Sequence, residues 1–253
     1  TPSGRTRPSP GTGHRRCTWA WPTPPPRHFK PPKSCQLLDA GHCYRSTYAY
    51  PYLVAKSRAN TSLTFGACQG ATTNDIVNSQ KWLLNADTDI VTLTIGGNDI
   101  GFGNLIINCA GSYSPNCKTE VDETDRKIHE ELPAKLDKAY AAIKSRAPGA
   151  RVVVLGYGKF FSTNLSCAGA EGISAEEAGW ANDLTDNLDA VIRGRATAAG
   201  FAYQSSISRF TGHAICSADP YVNGKNWSVA DMYHPTRSGH ANGLTPLVHQ
   251  VVG

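Results

Sequence analysis

The chain of 253 residues has no run of about 18 apolar side chains, the length at which a helix can cross a membrane. It has no two cysteines at the C-x-x-C spacing of zinc ribbons and thioredoxin-type redox sites. Its first 35 residues have no acidic side chain but hold seven of the 25 basic residues, so the rest carries 18 basic and 20 acidic residues. Because no apolar run is long enough, we expect no transmembrane segment. Because the body is nearly neutral, we expect no nucleic-acid partner.

Eight cysteines are present. An even number without metal-type spacing favours disulfides and an oxidising compartment, although counting alone cannot assign the pairs. No signal peptide precedes residue 1, which fits an exported protein after processing and equally a chain that never had a leader.

Residues 1–35 contain nine of the 16 prolines and show no apolar period. Three consecutive prolines at 24–26 exclude a helix or a central strand there. We therefore predict an irregular N-terminal segment over 1–35 and one folded domain over 36–253, because the remaining length suits a single large core.

The domain alternates between predicted strands and helices. Short apolar, β-branched runs predict strands at 62–68, 89–95, 151–156 and 201–204. Apolar residues at helical spacing predict helices at 48–56, 73–84, 124–146 with a kink at Pro133, 174–200 and 238–251. This alternation predicts a parallel sheet with helices on both faces, in which the C-terminal ends of all strands share one edge.

Two glycines and an Asn-Asp pair follow the predicted strand 89–95, at the edge where open α/β sheets collect ligands. An amide held there, such as that of Asn98, can donate hydrogen bonds to an oxygen that gains charge. Asn98 and Asp99 also suit the cap of the following helix, and this stretch alone does not separate the two interpretations. Gly70 lies at a similar strand-to-helix junction, so the topology predicts that Gly70 and Asn98 lie side by side.

Asp231 and His234 are paired closely in a loop near the C terminus. A carboxylate that accepts from one imidazole nitrogen leaves the other nitrogen to take a proton from a nucleophile. Without context the pair is not specific, because seven other histidines are present. A metal site of His213, Cys216, His234 and His240 lacks standard ligand spacing. We predict no metal and no cofactor.

Taken together, the motifs resemble the SGNH (GDSL) hydrolases. C-x-G-A at 68–71, G-G-N-D at 96–99 and D-x-x-H-P at 231–235 follow the order of that family's last three blocks. A-Y-P at 49–51 and H-P-T-x-x-G-H at 234–240 are similar to its secreted bacterial lipase and phospholipase A1 branch. The resemblance extends from about Gly41 to the C terminus.

This resemblance implies a flavodoxin-like, three-layer α/β/α sandwich with a central parallel sheet. It implies a secreted, monomeric serine esterase or lipase, such as a phospholipase A1, that acts on a small ester or a lipid. The Gly70 N–H and the Asn98 amide would form the oxyanion hole, His234 would be the general base, and Asp231 would orient it.

The family also implies three disulfides. The disulfides are Cys43–Cys68, Cys109–Cys117 and Cys167–Cys216, which leaves Cys17 and Cys35 over. Aromatic side chains suit an acyl groove, although aromatic loop residues also serve to cover a core; the candidates are Tyr157, Phe160, Phe161 and Trp227.

The nucleophile is the departure from the family pattern. The family serine lies in a Gly-Asp-Ser turn after the first strand, and no Gly-Asp-Ser occurs in this chain. Residues 1–35 occupy that place, so the first strand and the nucleophile are both unassigned. Back-translated codons of residues 17–24, read two bases later, permit Tyr-Val-Gly-Leu-Ala-Asp-Ser. We therefore hypothesise a frameshift upstream of about Leu37. The alternative is a non-catalytic relative that binds an acyl or glycan ligand in the same cleft.

Overall fold

The structure, a computed structural model, describes residues 43–110, 117–226 and 231–253. The predictions for residues 1–35, Cys17, Cys35 and Trp227 therefore lie outside the described residues. The helices are α1 (Tyr50–Ser57), α2 (Thr73–Asn78), α3 (Phe102–Cys109), α4 (Lys118–Glu130), α5 (Leu132–Arg146), α6 (Ala175–Ala198), α7 (Ile207–Phe210) and α8 (Thr245–Val252). The strands are β1 (Ile90–Leu93), β2 (Arg151–Leu155) and β3 (Ala202–Gln204).

Three parallel strands form the described sheet in the order β1-β2-β3. Val91 pairs with Val152, and Val154 pairs with Tyr203. All of β1 and the last four residues of β2 are buried, as expected of strands covered on both faces. The strands predicted at 89–95, 151–156 and 201–204 are confirmed.

Helices cover the sheet in two layers. α6 contacts β3 and packs with α4 and α5, whereas α8 contacts β2 and β3 and packs with α1. Two predicted helix starts are confirmed: α1 has its proline in the first turn, and the side chains of Ser174 and Glu177 form a capping box before α6. The three-layer α/β/α fold is confirmed.

The helix predicted at 124–146 is two helices. α4 begins earlier, at Lys118, and ends at Glu130, and α5 starts at Leu132. Pro133 lies in the first turn of α5 rather than at a kink. A proline there removes no helical hydrogen bond, because the first N–H groups of a helix have no partner within it.

One predicted strand and the limits of one predicted helix were also wrong. The predicted strand 62–68 is not in the described sheet, and no described strand pairs with it. The helix predicted at 73–84 ends at Asn78 and is followed by a 3₁₀ turn, Gln80–Leu83. Its cap is Thr72 rather than Thr73 or Asn74. The Ser79 hydroxyl bonds the Asp75 carbonyl at 2.8 Å, a local bond that competes with the helix.

The remaining features concern the cysteines and the C terminus. The structure forms the disulfides Cys43–Cys68, Cys109–Cys117 and Cys167–Cys216, the pairs that the resemblance implies. The helix predicted at 238–251 consists of a short π-helix, Gly239–Leu244, followed by α8. Within the described ranges, no helix has the length and apolar character needed to span a membrane.

The central strand should dominate stability. Leu155 on β2 is fully buried, whereas Leu83 is 41% exposed. We expect Leu155→Ala to lower the free energy of unfolding by about 2–5 kcal/mol, because it leaves a cavity in the core. Leu83→Ala, the matched control, should cost less than about 1 kcal/mol. Urea unfolding measures both, and equal losses would contradict this description of the core.

Candidate active site

The turn after β1 presents Asn98. Gly96 turns the chain with a φ of 113°, in the left-handed region that glycine adopts without strain. The backbone N–H of Gly97 donates to the Tyr157 hydroxyl at 3.0 Å, and the Asn98 side-chain amide donates to the Ala71 carbonyl at 2.6 Å. This turn is therefore tied to the end of β2 on one side and to the Gly70 turn on the other.

Asp99 fastens the same two turns together. Its carboxylate accepts the Thr73 hydroxyl at 2.6 Å and the Thr73 backbone N–H at 3.1 Å. It thereby binds the N-terminal turn of α2, whereas α3, the helix that follows it in sequence, has no side-chain cap. The alternative that this Asn-Asp pair caps the next helix is therefore wrong. Burial raises the pKa of Asp99 above its ordinary value, and the bonds to Thr73 oppose that rise.

Gly70 lies beside Asn98 in space. It has a φ of 91°, and the next residue, Ala71, accepts the Asn98 amide. Ala71 also donates its N–H to the Cys68 carbonyl, and the disulfide Cys43–Cys68 holds the start of the turn. The predicted proximity of Gly70 and Asn98 is thus present, while the role of the Gly70 N–H stays a prediction.

His234 is held by its own loop and by the neighbouring segment at 221–223. The Asn223 N–H and side-chain amide both donate to the His234 carbonyl, at 2.8 and 3.1 Å. Val222 and Pro235 form an antiparallel bridge. The His234 N–H donates to the Asp231 carbonyl at 3.2 Å. These bonds fix the backbone of the histidine loop.

The imidazole itself is oriented by a backbone carbonyl. Nδ1 of His234 lies 2.7 Å from the Met232 carbonyl oxygen. A carbonyl can only accept, so we assign the proton of the neutral ring to Nδ1, which makes Nε2 the basic nitrogen. No sequence pattern could indicate this acceptor, because any residue type supplies a carbonyl. The orienting role of the Asp231 carboxylate stays a prediction.

Asn98 and His234 line one cavity. It holds about 650 Å³ of space free of protein atoms, counting its mouth, which is open to solvent. Of the predicted aromatic residues, Tyr157 and Phe160 line it, Phe161 does not, and Trp227 lies outside the described residues. The full lining is Gly97, Asn98, Phe102, Gly103, Asn104, Ile107, Tyr157, Phe160, Thr185, Leu188, Met232, Tyr233 and His234.

The sequence singled out Tyr157 only for its aromatic ring, but the structure also shows a role for its hydroxyl in supporting the Asn98 turn. Its hydroxyl accepts the Gly97 N–H at the base of the Asn98 turn, and its ring lines the cavity. Burial is the main cause that raises its pKa above the ordinary tyrosine value, so the phenol stays neutral. Its place after β2, on the edge that also carries Asn98, was the available signal.

His240 lies near His234 but serves α1. The Tyr50 N–H, in the first turn of α1, donates to Nδ1 of His240 at 3.3 Å. Burial, and secondarily the charge of His234, lowers the pKa of His240 to about 3. The metal hypothesis loses a ligand, because Cys216 is bonded to Cys167 and has no thiolate to offer.

His240 should make the free energy of unfolding depend on pH. Its pKa is lower in the folded than in the unfolded chain, so its contribution is present above about pH 6.5 and lost as pH falls toward 3. Between pH 7 and 4.5 we expect a loss on the order of 2 kcal/mol, which His240→Gln should reduce. His129→Gln, at an exposed site on α4, is the control. Urea unfolding at both pH values measures the slope, and an unchanged slope in His240→Gln would contradict the assignment.

The chain is similar in sequence to known lipases over most of its length. Residues 34–241 match the GDSL-like Lipase/Acylhydrolase family. A protein of Streptomyces rimosus named Lipase is 39% identical over 211 residues, which cover 83% of this chain and 78% of the relative. Lipase 1 of Streptomyces coelicolor is 36% identical over 214 residues, 84% of this chain and 79% of the relative.

Two solved structures are similar over nearly their whole length. The extracellular lipase of Streptomyces rimosus superposes with a TM-score of 0.84 at 35% identity and covers 94% of this chain and 99% of its own. Phospholipase A1 of Streptomyces albidoflavus NA297 gives a TM-score of 0.83 at 34% identity, with the same coverage of 94% and 99%. The chain therefore belongs to the GDSL-like lipase/acylhydrolase family.

Proposed function

We propose that this protein is a secreted lipase or esterase that hydrolyses carboxylic esters by acyl transfer in the cavity between Asn98 and His234. The supporting observation is that a side-chain amide and an imidazole, contributed by distant parts of the sequence, line the same cavity. A donor and a base on one cavity are what acyl transfer needs to stabilise an oxyanion and to activate a nucleophile.

His234 would act as the general base. With the Nδ1 proton held by the Met232 carbonyl, Nε2 takes the proton of the attacking hydroxyl and later returns it to the leaving alcohol. The carbonyl dipole also stabilises the imidazolium that forms between these two steps. Water then attacks the acyl intermediate with the same histidine as base.

The oxyanion would be held by Asn98 and Gly70. The Asn98 amide has two N–H groups, and one donates to the Ala71 carbonyl, which orients the other. The Gly70 N–H, on the adjoining turn, would supply the second donor. Because the Asp99 and Asn98 bonds connect these two turns, the donors are positioned before the substrate arrives.

The nucleophile would come from the part of the chain outside the described residues. Among the described residues that line the cavity there is no serine or cysteine. We propose that the gene, read two bases later upstream of Leu37, supplies the serine after a first strand. The chain as written would then bind ligand in the same cleft with little or no hydrolysis, which is the non-catalytic alternative.

The relatives support the proposal of secretion and of a lipid or simple ester substrate. They are named lipases, and one similar structure is a phospholipase A1. The three disulfides suit an oxidising compartment. We propose the same location and substrate class for this chain.

The reading frame and the oxyanion donor can be tested together. We expect the protein from the frame-restored gene to hydrolyse p-nitrophenyl butyrate, and the chain as written to be far slower. In the restored protein, Asn98→Ala should lower kcat about 10²–10³-fold, because one oxyanion donor is lost. His234→Ala should abolish the reaction. A folded restored protein without activity, or activity that survives His234→Ala, would overturn the proposal, and peptide mass of the native protein reports its true frame.

Asp231→Asn separates the two acceptors for His234. If the Met232 carbonyl holds the imidazole, the substitution leaves the tautomer unchanged, and kcat in the frame-restored protein should fall less than about tenfold. A fall of about 10⁴, as expected when an orienting carboxylate is replaced by an amide that selects the wrong tautomer, would assign the role to Asp231 instead. Asp219→Asn, exposed and away from the cavity lining, is the control.

A further inference from the structure

The cavity beyond the reacting groups has a rigid apolar wall. Phe102 stacks on Phe160 with ring centroids 5.4 Å apart, and Phe160 meets Tyr233 edge-on at 6.3 Å. All three rings are nearly buried. Thr185, which also lines the cavity, donates its hydroxyl to the Ala181 carbonyl of its own helix, so it requires no polar partner from a ligand. These surfaces suit a hydrocarbon ligand.

One face of α3 lines the route from the reacting groups to the surface. Gly103 and Ile107 both line the cavity and are four residues apart, so they lie one above the other on the same helix face, about 6 Å apart along the axis. Ile107 is 41% exposed, unusual for a large apolar side chain, and marks the mouth. Gly103 therefore lies between Asn98 and the mouth.

Gly103 keeps this route open. Its backbone is helical, so it does not need to be glycine for conformational reasons, and glycine weakens a helix relative to alanine. A Cβ built on it would meet no atom within 4 Å. A larger side chain could therefore be accepted without moving the backbone, and it would occupy the space beside the cavity wall.

The acyl half of the ester is the better candidate for the apolar part of the cavity. In acyl transfer the alcohol leaves first and water must enter, whereas the acyl group remains attached through both steps. The apolar part of the cavity along α3 would hold the acyl group through both steps.

We propose that Gly103 is a specificity-determining residue: it leaves room for a linear aliphatic acyl chain that runs along α3 from Asn98 toward Ile107. This assignment rests on the proposed function for the identity of the ligand. It adds the residue that limits the acyl chain that fits.

Binding of fatty-acid anions tests this without any hydrolysis. We would titrate the full chain with butanoate, octanoate and dodecanoate by calorimetry, each kept monomeric. Affinity should rise roughly fourfold for each methylene that enters the cavity and then level off. In Gly103→Leu, octanoate should bind at least tenfold more weakly while butanoate changes less than twofold. Gly103→Ala should lie between the two.

A matched control is Gly194→Leu, on α6 and outside the cavity lining, where an added Cβ also meets no atom within 4 Å. It should leave the whole series unchanged. Equal chain-length profiles for Gly103→Leu and the unmodified chain, with both folded by circular dichroism, would overturn the role of Gly103. Octanol binding more tightly than octanoate would overturn the acyl assignment.

The outcome is separable from the proposed function. If alkanoates bind with the expected length dependence but the frame-restored protein hydrolyses no ester, the cavity assignment stands and the catalytic proposal fails. If the restored protein hydrolyses esters while no alkanoate binds at any length, the assignment of this cavity to the acyl chain fails alone.

Discussion

Two short hydrogen bonds between neighbouring turns hold the site together. The Asn98 amide reaches the Ala71 carbonyl, and the Asp99 carboxylate binds Thr73 at the start of α2. These bonds join the turn that follows β1 to the turn that precedes α2. In the proposed mechanism, these bonds would fix the oxyanion donors to the scaffold before a substrate binds, so little reorganisation would be needed when charge develops.

The histidine reaches the same cavity by a different route. Its loop lies outside the described helices and sheet strands, and it is held by backbone bonds to the segment 221–223 and by the bridge between Val222 and Pro235. A carbonyl of the loop then sets the imidazole. A base held in this way depends on loop geometry more than on any one neighbouring side chain.

Much of the fold follows from the sequence, since buried strands such as 151–155 and the capping box at Ser174 leave clear local patterns. The boundaries that were wrong depend on details that a pattern does not contain. The apolar periodicity continues across Glu131, although one helix ends there and another begins. Whether 62–68 forms a strand depends on pairing with a neighbouring strand, which the local sequence does not show.

At the site, the motifs singled out Asn98 and His234, and the structure places both on one cavity. They did not identify the Met232 carbonyl, since a backbone group has no sequence signal, nor the bond between Asp99 and Thr73, which joins residues 26 positions apart. The sequence also did not indicate a role for Gly103, because the effect of a missing side chain depends on the space around it in the fold.

We propose that Asn98 and His234 face one reaction centre, with the acyl chain along α3. A crystal structure with bound octanoate would test this arrangement. We expect a carboxylate beside His234 and within hydrogen-bond distance of Asn98 Nδ2, and a hydrocarbon chain that passes Gly103 toward Ile107. A carboxylate bound elsewhere, or an Asn98 amide turned away from His234, would contradict it.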